Sequence, residues 1–166
     1  MVVGAGVLGL SAARALARRG WSVEVLEAAG DVGHPGAGSK GGARIFRLGY
    51  PEPHYVEMAR SARDLWHALE RESGRRLLHV TGQLTFGDDE TLDAIGAAMT
   101  ASGAACERLS PASARARYPG IATAGAALVE PDSGVLAADA CLRALHETAA
   151  AELRTGVRVT ALHQAG

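Results

Sequence analysis

A chain of 166 residues, 48% of them hydrophobic, carries enough apolar material for a buried core, and its length suits one ordinary domain. With 17 basic side chains against 18 acidic ones the formal net charge is −1, so no global field draws nucleic acid or an anionic membrane. The two cysteines, Cys106 and Cys141, have neither zinc-site spacing nor a CxxC arrangement, and both are expected to stay reduced in a cytoplasmic setting. The apolar start, Met1 to Leu10, is broken by three glycines and has no charged leader; the expectation is a soluble protein without signal peptide or membrane span.

A short β run at Met1 to Val3 passes through glycines into a predicted helix over about Val7 to Arg19, with Leu8, Ala12, Ala15 and Leu16 on its apolar side and Gly20 as its stop. A second β run, Ser22 to Leu26, makes the opening read as one β-α-β unit with a parallel strand pair. Six glycines between Gly30 and Gly42 exclude regular structure there, leaving a loop that is either loose or wrapped on a ligand. Tyr55, Met58, Ala62, Leu65, Trp66 and Leu69 then recur at helical spacing and predict an amphipathic helix over Pro53 to Ser73, stopped by Gly74.

Strands are predicted at Leu77 to Val80 and Gln83 to Phe86, a helix at Asp89 to Ala101, and a strand at Ala105 to Leu109. Ser110 suits the cap of a short helix that ends before Tyr118-Pro119-Gly120, since a residue preceding proline is pushed out of helical geometry. A strand at Ala126 to Val129 closes in the turn Pro131-Asp132-Ser133-Gly134; a helix at Ala138 to Leu153 and a strand at Val157 to Leu162 restore the α/β pattern. The three-residue opening strand and the stop just after the last one give the expectation of a piece of a longer protein, incomplete at its C-terminus.

Gly4-Ala5-Gly6-Val7-Leu8-Gly9 is a GxGxxG sequence set between a strand and a helix. In such a motif the first glycine permits the tight turn, the second lets the backbone approach a pyrophosphate, and the third allows close helix–strand packing. The helix N-terminus, at Val7 and Leu8, offers free N–H groups to phosphates. Glu27 ends the second strand, where a carboxylate accepts hydrogen bonds from ribose hydroxyls and repels the 2′-phosphate of NADP. The motif by itself leaves FAD and NAD both open.

Downstream, Gly38-Ser39-Lys40-Gly41-Gly42-Ala43-Arg44-Ile45-Phe46-Arg47-Leu48-Gly49-Tyr50 resembles the flavin-facing loop of the monomeric sarcosine oxidase and N-methyl-tryptophan oxidase family, FAD-dependent oxidoreductases of the D-amino acid oxidase superfamily. Thr81-Gly82, Phe86-Gly87, Tyr118-Pro119-Gly120-Ile121, Glu130-Pro131-Asp132-Ser133-Gly134-Val135-Leu136 and Cys141-Leu142-Arg143-Ala144 extend the likeness over nearly the whole chain. The resemblance implies an α/β protein with a Rossmann-like FAD-binding β-α-β domain and part of an α+β substrate domain. Residues 1–80 would form a first segment of the FAD-binding domain, 81–136 a first segment of the substrate domain, and 137–166 a return to the FAD side. It also implies a missing C-terminal half carrying further active-site groups, among them the residue that attaches the flavin covalently in many members.

By resemblance the cofactor-binding set is Gly4, Gly6, Val7, Leu8, Gly9, Glu27, Ala28, Ser39 and Arg44, with Arg44 also beside the flavin ring as a catalytic candidate. Arg47 would pair with a substrate carboxylate, a task suited to a bidentate guanidinium. Set three apart, Arg44 and Arg47 would share neighbouring faces of a helical turn; the alternative is a pair of solvated surface arginines. Lys40 stands where sarcosine oxidases carry a histidine, and either supplies positive charge near a reduced flavin or points to water. No histidine spacing suggests a metal, and neither cysteine is a proposed flavin anchor; Cys141 reads as a packing residue.

The implied activity is FAD-dependent oxidation of the C–N bond of an amino acid or N-methyl amino acid. The partner is a small amine or amino acid, with no nucleic acid and no membrane. An NAD-dependent dehydrogenase and a non-catalytic nucleotide-binding fragment are the competing readings.

Overall fold

The computed structural model describes residues 1–34, 36, 38–122 and 125–163. In chain order its elements are β1 (Val2–Val3), α1 (Val7–Ala17), β2 (Glu24–Leu26), β3 (Arg44–Phe46), α2 (Pro53–Ser73), β4 (Leu78–Val80) and β5 (Gln83–Phe86). There follow α3 (Asp89–Ala101), β6 (Glu107–Leu109), α4 (Pro111–Arg117), β7 (Ala127–Glu130), β8 (Gly134–Leu136), α5 (Ala138–Thr148) and β9 (Glu152–Arg154). They divide into two compact units: the first takes Met1–Arg44, Ala68–Leu77 and the chain from Leu136 onward, the second Ile45–His67 and Leu78–Val135.

The first unit is built on a parallel sheet of order β1-β2-β9, in which Val2 pairs with Val25 and Val25 with Leu153. Helix α1 turns Leu10 and Ala13 inward, at 1% and 0% exposure, and packs against α5, whose Leu142, Ala144 and Leu145 are also buried. This corrects the expected apolar side, because Leu8 is 84% exposed and Ala12 and Ala15 face solvent. A helix as rich in small and apolar residues as VLGLSAARALA, with only Ser11 and Arg14 polar, has no clear stripe; its rotation is set where Gly9 meets β1.

Two further expectations fail at the end of this unit. Helix α5 stops at Thr148, since Ala150 adopts a left-handed φ of 49° and the Glu152 amide is drawn to the Val23 carbonyl at 2.9 Å. The strand is therefore Glu152–Arg154, and residues 157–162 lie outside regular elements. With β9 occupying the place beside β2, Gly156 turns the chain away at φ 70° and its amide bonds the Ala29 carbonyl.

The second unit holds an antiparallel sheet of order β5-β7-β6, with Gln83 opposite Glu130 and Glu107 opposite Val129. All four residues of β7 are buried, and α3 packs on that strand with Leu92, Ile95, Ala98 and Met99 turned inward. Leu109, Ala114, Ala127 and Val129 form a small core on which Leu84 and Tyr118 lie. Asp88 accepts from the Thr91 amide at 2.7 Å and Ser110 from the Ser113 amide at 3.1 Å, so each helix start has the side-chain acceptor it needs.

A third sheet has the order β3-β8-β4, and neither β3 nor β8 was expected as a strand. At its centre a Cβ on Gly134 would lie 2.0 Å from the His79 carbonyl oxygen, so β8 can pass β4 only as glycine. The bounds of α2 match the hydrophobic spacing, but its buried face does not. Val56 and Leu69 are covered while Met58 and Leu65 are 64% and 65% exposed. Arg60 and Arg63 lie on the covered side, bonding the Ser102 carbonyl and Asp132, and long side chains that bury their stems this way are invisible to a hydropathy pattern.

Candidate functional site

In the first unit the chain leaves β1 through Gly4, whose φ of 92° needs a residue without a side chain, and its amide bonds the Leu26 carbonyl at 2.8 Å. Gly6 is the N-cap of α1, with no side-chain capping bond and no acidic residue in the first turn. The N–H groups of the first helical turn and the positive end of the dipole are thus turned toward an anion's position, before the Leu10 amide closes the first intrahelical bond on the Gly6 carbonyl at 2.9 Å. A Cβ on Gly9 would lie 1.9 Å from the Gly4 carbonyl oxygen and 3.5 Å from a Val2 methyl, so α1 crosses β1 at a distance only glycine permits.

The glycine-rich loop returns to this point. The Val7 amide donates to Ser39 Oγ at 3.1 Å, and a Cβ on Gly6 would meet the same oxygen at 3.1 Å. A hydroxyl that accepts from an amide keeps its own proton to donate, so Ser39 lies ready to bond an anion at the helix start. At the end of β2, Glu27 Oε2 accepts from the Ala5 amide at 2.7 Å and Oε1 from the Ala29 amide at 2.9 Å. These bonds, from Ala29 first and Ala5 second, hold its carboxyl below the usual value despite some burial. Each oxygen retains a lone pair for a hydroxyl donor.

Farther along the loop, the Gly41 amide bonds Asp139 Oδ1 at 3.0 Å and the Asp139 amide returns a bond to the Gly41 carbonyl at 3.1 Å, fastening the loop to the start of α5. Arg44 begins strand β3 and does not share a helical turn with Arg47, which corrects that expectation. Ile45 and Phe46 pair into a sheet, and a β-branched residue beside an aromatic favours that geometry. The Arg44 guanidinium folds back on its own loop, donating to the carbonyls of Ala43 at 2.8 Å, Gly38 at 3.0 Å and Lys40. Lys40 itself is half-buried and, among the described residues, has no ion-pair partner.

The second unit carries Arg47. Its guanidinium carbon lies 4.5 Å from the centre of the Tyr50 ring, and no carboxylate pairs with it among the described residues. Tyr50 is supported in turn by Tyr55, with ring centroids 5.8 Å apart. Cation–π contact keeps such a guanidinium flat and leaves its N–H fork open to a planar anion.

Sequence reasoning missed Glu130, the fully buried acid at the end of β7. Its Oε2 accepts from the amides of Leu48 and Gly49 at 3.3 and 2.9 Å and from Ser133 Oγ at 2.8 Å. Its Oε1 accepts from Thr85 Oγ1 at 2.7 Å and Gln83 Nε2 at 3.3 Å. An acid before Pro-Asp-Ser-Gly reads as a solvated turn, and its donors other than Ser133 are 45 to 82 residues away. The polar alternation of Gln83 and Thr85 on β5 was the available signal.

The residues of the first unit fit a dinucleotide: an uncapped helix N-terminus, a glycine seam with no room for side chains, a free hydroxyl donor and an anchored carboxylate. Leu8 has only its amide to offer there, since its side chain is exposed. No cluster of three metal-ligating side chains occurs among the described residues, and no helix there is long and apolar enough to cross a membrane. Cys141 is buried, which pushes its thiol up to about 12.

Known proteins resemble this chain in sequence and fold. Monomeric sarcosine oxidase of Bacillus sp. (strain B-0618) is 33% identical over 157 residues, covering 91% of this chain and 40% of the relative. Among solved structures, NikD, an unusual amino acid oxidase essential for nikkomycin biosynthesis, is 31% identical with a TM-score of 0.76, over 93% of this chain and 42% of that one. L-proline dehydrogenase from P. horikoshii superposes with a TM-score of 0.81 at 25% identity, over 96% of this chain and 44% of that one. The chain thus spans about 40% of the length of that curated relative. The family described as DAO, FAD dependent oxidoreductase, matches residues 1–166, and the chain belongs to that FAD-dependent family.

Proposed function

We propose that this chain supplies the dinucleotide-binding end and the carboxylate-recognition arginine of an enzyme that oxidises the C–N bond of an amino acid or N-methyl amino acid. The observation that carries the reading is the cradle at the start of α1, where Gly6, Gly9, Ser39 and Glu27 converge in a chain of an FAD-dependent family. Bound FAD would supply the two-electron acceptor for the oxidation.

The chain's own residues have separate tasks. The amides at Val7 and Leu8, beside Gly4, Gly6 and Gly9, hold the pyrophosphate, with Ser39 donating its hydroxyl. Glu27 takes ribose hydroxyls, and the neighbouring Ala28 backbone lies along the same edge. Arg44 braces the loop that carries Lys40, and both bring positive charge toward the flavin side. Arg47 receives the substrate carboxylate in a forked pair of hydrogen bonds. The remainder of the full-length enzyme provides the other walls of the site. Residues 1–80, Arg47 apart, and 137–166 serve the cofactor and 81–136 the substrate in this reading, and the free cysteines Cys106 and Cys141 suit a soluble enzyme of the cytoplasm.

The test is oxidation by the full-length protein of a panel containing sarcosine, larger N-methyl amino acids, primary amino acids and the matching amines without a carboxylate. Electron-acceptor consumption and carbonyl product are both measured. Oxidation of carboxylate-bearing amines in preference to the others is expected. A flavin-loaded protein that oxidises no amino acid would overturn the proposal.

A further inference from the structure

Glu130 is a costly residue to keep where it stands. It is 0% exposed, and among the described residues its hydrogen bonds come from neutral groups, with no arginine or lysine paired to it. A buried carboxylate lacking a counter-ion is tolerated only when donors satisfy it, and an apolar side chain would pack there at less expense. What the carboxylate gains is a grip on backbone: one oxygen, Oε2, holds the consecutive amides of Leu48 and Gly49.

Those amides directly follow Arg47. The clip is close on every side, because a Cβ on Gly49 would lie 2.5 Å from Glu130 Oε1 and 2.8 Å from Cδ, and Leu48 is 0% exposed. Ser133 Oγ donates to Oε2 while also accepting from the Leu48 amide at 3.0 Å, so the turn after β7 and the segment after β3 are locked together. Arg47, by contrast, is exposed, and its recorded contact is the Tyr50 ring three residues on. The direction in which Arg47 leaves the backbone is thus set by a residue it does not touch.

We infer that Glu130 is the positioning residue for Arg47, and that it sets the enzyme's selectivity for carboxylate-bearing amines without meeting substrate. This rests on the reading of Arg47 as the carboxylate-binding residue. The chemistry separates two substitutions. In Glu130→Gln the amide oxygen can still accept from Leu48 and Gly49, while its NH2 turns to Thr85, whose hydroxyl can reverse, and to Gln83, whose amide can flip. In Glu130→Leu the Gly49 amide loses its acceptor altogether and the Leu48 amide is left with Ser133 Oγ alone.

The experiment compares the full-length holoenzyme with its E130Q, E130L and Arg47→Ala variants. KM and kcat are measured for an amino acid and for the matching amine without a carboxylate, and the dissociation constants of propionate and propionamide by calorimetry. E130L should raise the amino-acid KM and the propionate constant about tenfold, the equivalent of losing one good hydrogen bond's worth of placement. Its flavin content, its constants for the amine and its propionamide binding should stay unchanged, and E130Q should rescue the loss. An equal loss on both substrates, loss of flavin, or no change in E130L would each overturn the inference.

Should E130L fail to fold, Gly49→Ala carries the test, since its methyl must displace the same carboxylate; a uniform loss there overturns the inference, and a loss confined to carboxylates supports it. Arg47→Ala keeps the two failures apart. If it loses carboxylates selectively and E130L does not, only the role of Glu130 falls. If Arg47→Ala does not discriminate, the reading of Arg47 falls and the inference with it.

Discussion

Replacing Gly9 by alanine puts a methyl carbon 1.9 Å from the Gly4 carbonyl oxygen and 3.0 Å from its carbon. An ordinary contact is about 3.5 Å, so helix and strand must separate by roughly 1.6 Å at this point. The obstacle is backbone rather than the tip of a flexible side chain, and Gly4 is itself held by the Leu26 carbonyl at 2.8 Å. Overpacking of this kind costs about 1–3 kcal/mol, and the upper end applies where nothing can swing aside. The same movement shifts the Val7 and Leu8 amides, which the proposed function sets against the pyrophosphate. The expected result in the full-length protein is a lowered urea midpoint together with loss of FAD binding in a fluorescence titration. Gly30→Ala is the control, since a Cβ there meets nothing within 4 Å. If Gly9→Ala matched Gly30→Ala in both midpoint and affinity, the close helix–strand crossing would not be what this glycine serves.

Glu27→Gln should weaken FAD binding and also flatten part of the acid dependence of stability. The folded-state pKa of Glu27 lies below its ordinary value of 4.5, so its contribution is complete above that value and disappears as pH falls through the folded pKa. Urea midpoints of wild type and variant should therefore differ at neutral pH and converge in strong acid; a gap that widened on acidification would contradict the sign. Arg47→Ala should raise KM for amino acids far more than for amines lacking a carboxylate, as read from steady-state kinetics on matched pairs. In thiol labelling at mildly alkaline pH, half-exposed Cys106 should react first. Cys141, buried and raised to about 12, should react only after denaturation, and mass spectrometry of the labelled peptides distinguishes them.

Legibility in the sequence followed the range of the interactions. The parallel β-α-β opening, the bounds of α2, β5 and α3, and the Ser110 cap were all visible because glycine punctuation, local periodicity and capping chemistry act within a few residues. Helix faces were not: α1 is mostly small and apolar residues and is oriented by Gly9, while α2 buries the stems of Arg60 and Arg63 and leaves Met58 and Leu65 in solvent. Strand β9 displaced the expected Val157 to Leu162 strand because a parallel partner in β2 selects the three residues that reach it first after Ala150. At the site, the order of glycines and Glu27 announced a dinucleotide turn, whereas the return of Ser39 to Val7 and the hold of Glu130 on Leu48 and Gly49 join residues 32 to 82 apart. Such contacts leave no local periodicity to read.

The most direct test of the account is the optical spectrum of the purified full-length protein, recorded before and after anaerobic addition of an N-methyl amino acid. A yellow protein whose flavin absorbance bleaches on addition, and is not bleached by the corresponding amine lacking a carboxylate at the same concentration, is the predicted result. A colourless protein that takes up nicotinamide dinucleotide in place of FAD, or a flavin that no amino acid reduces, would contradict it.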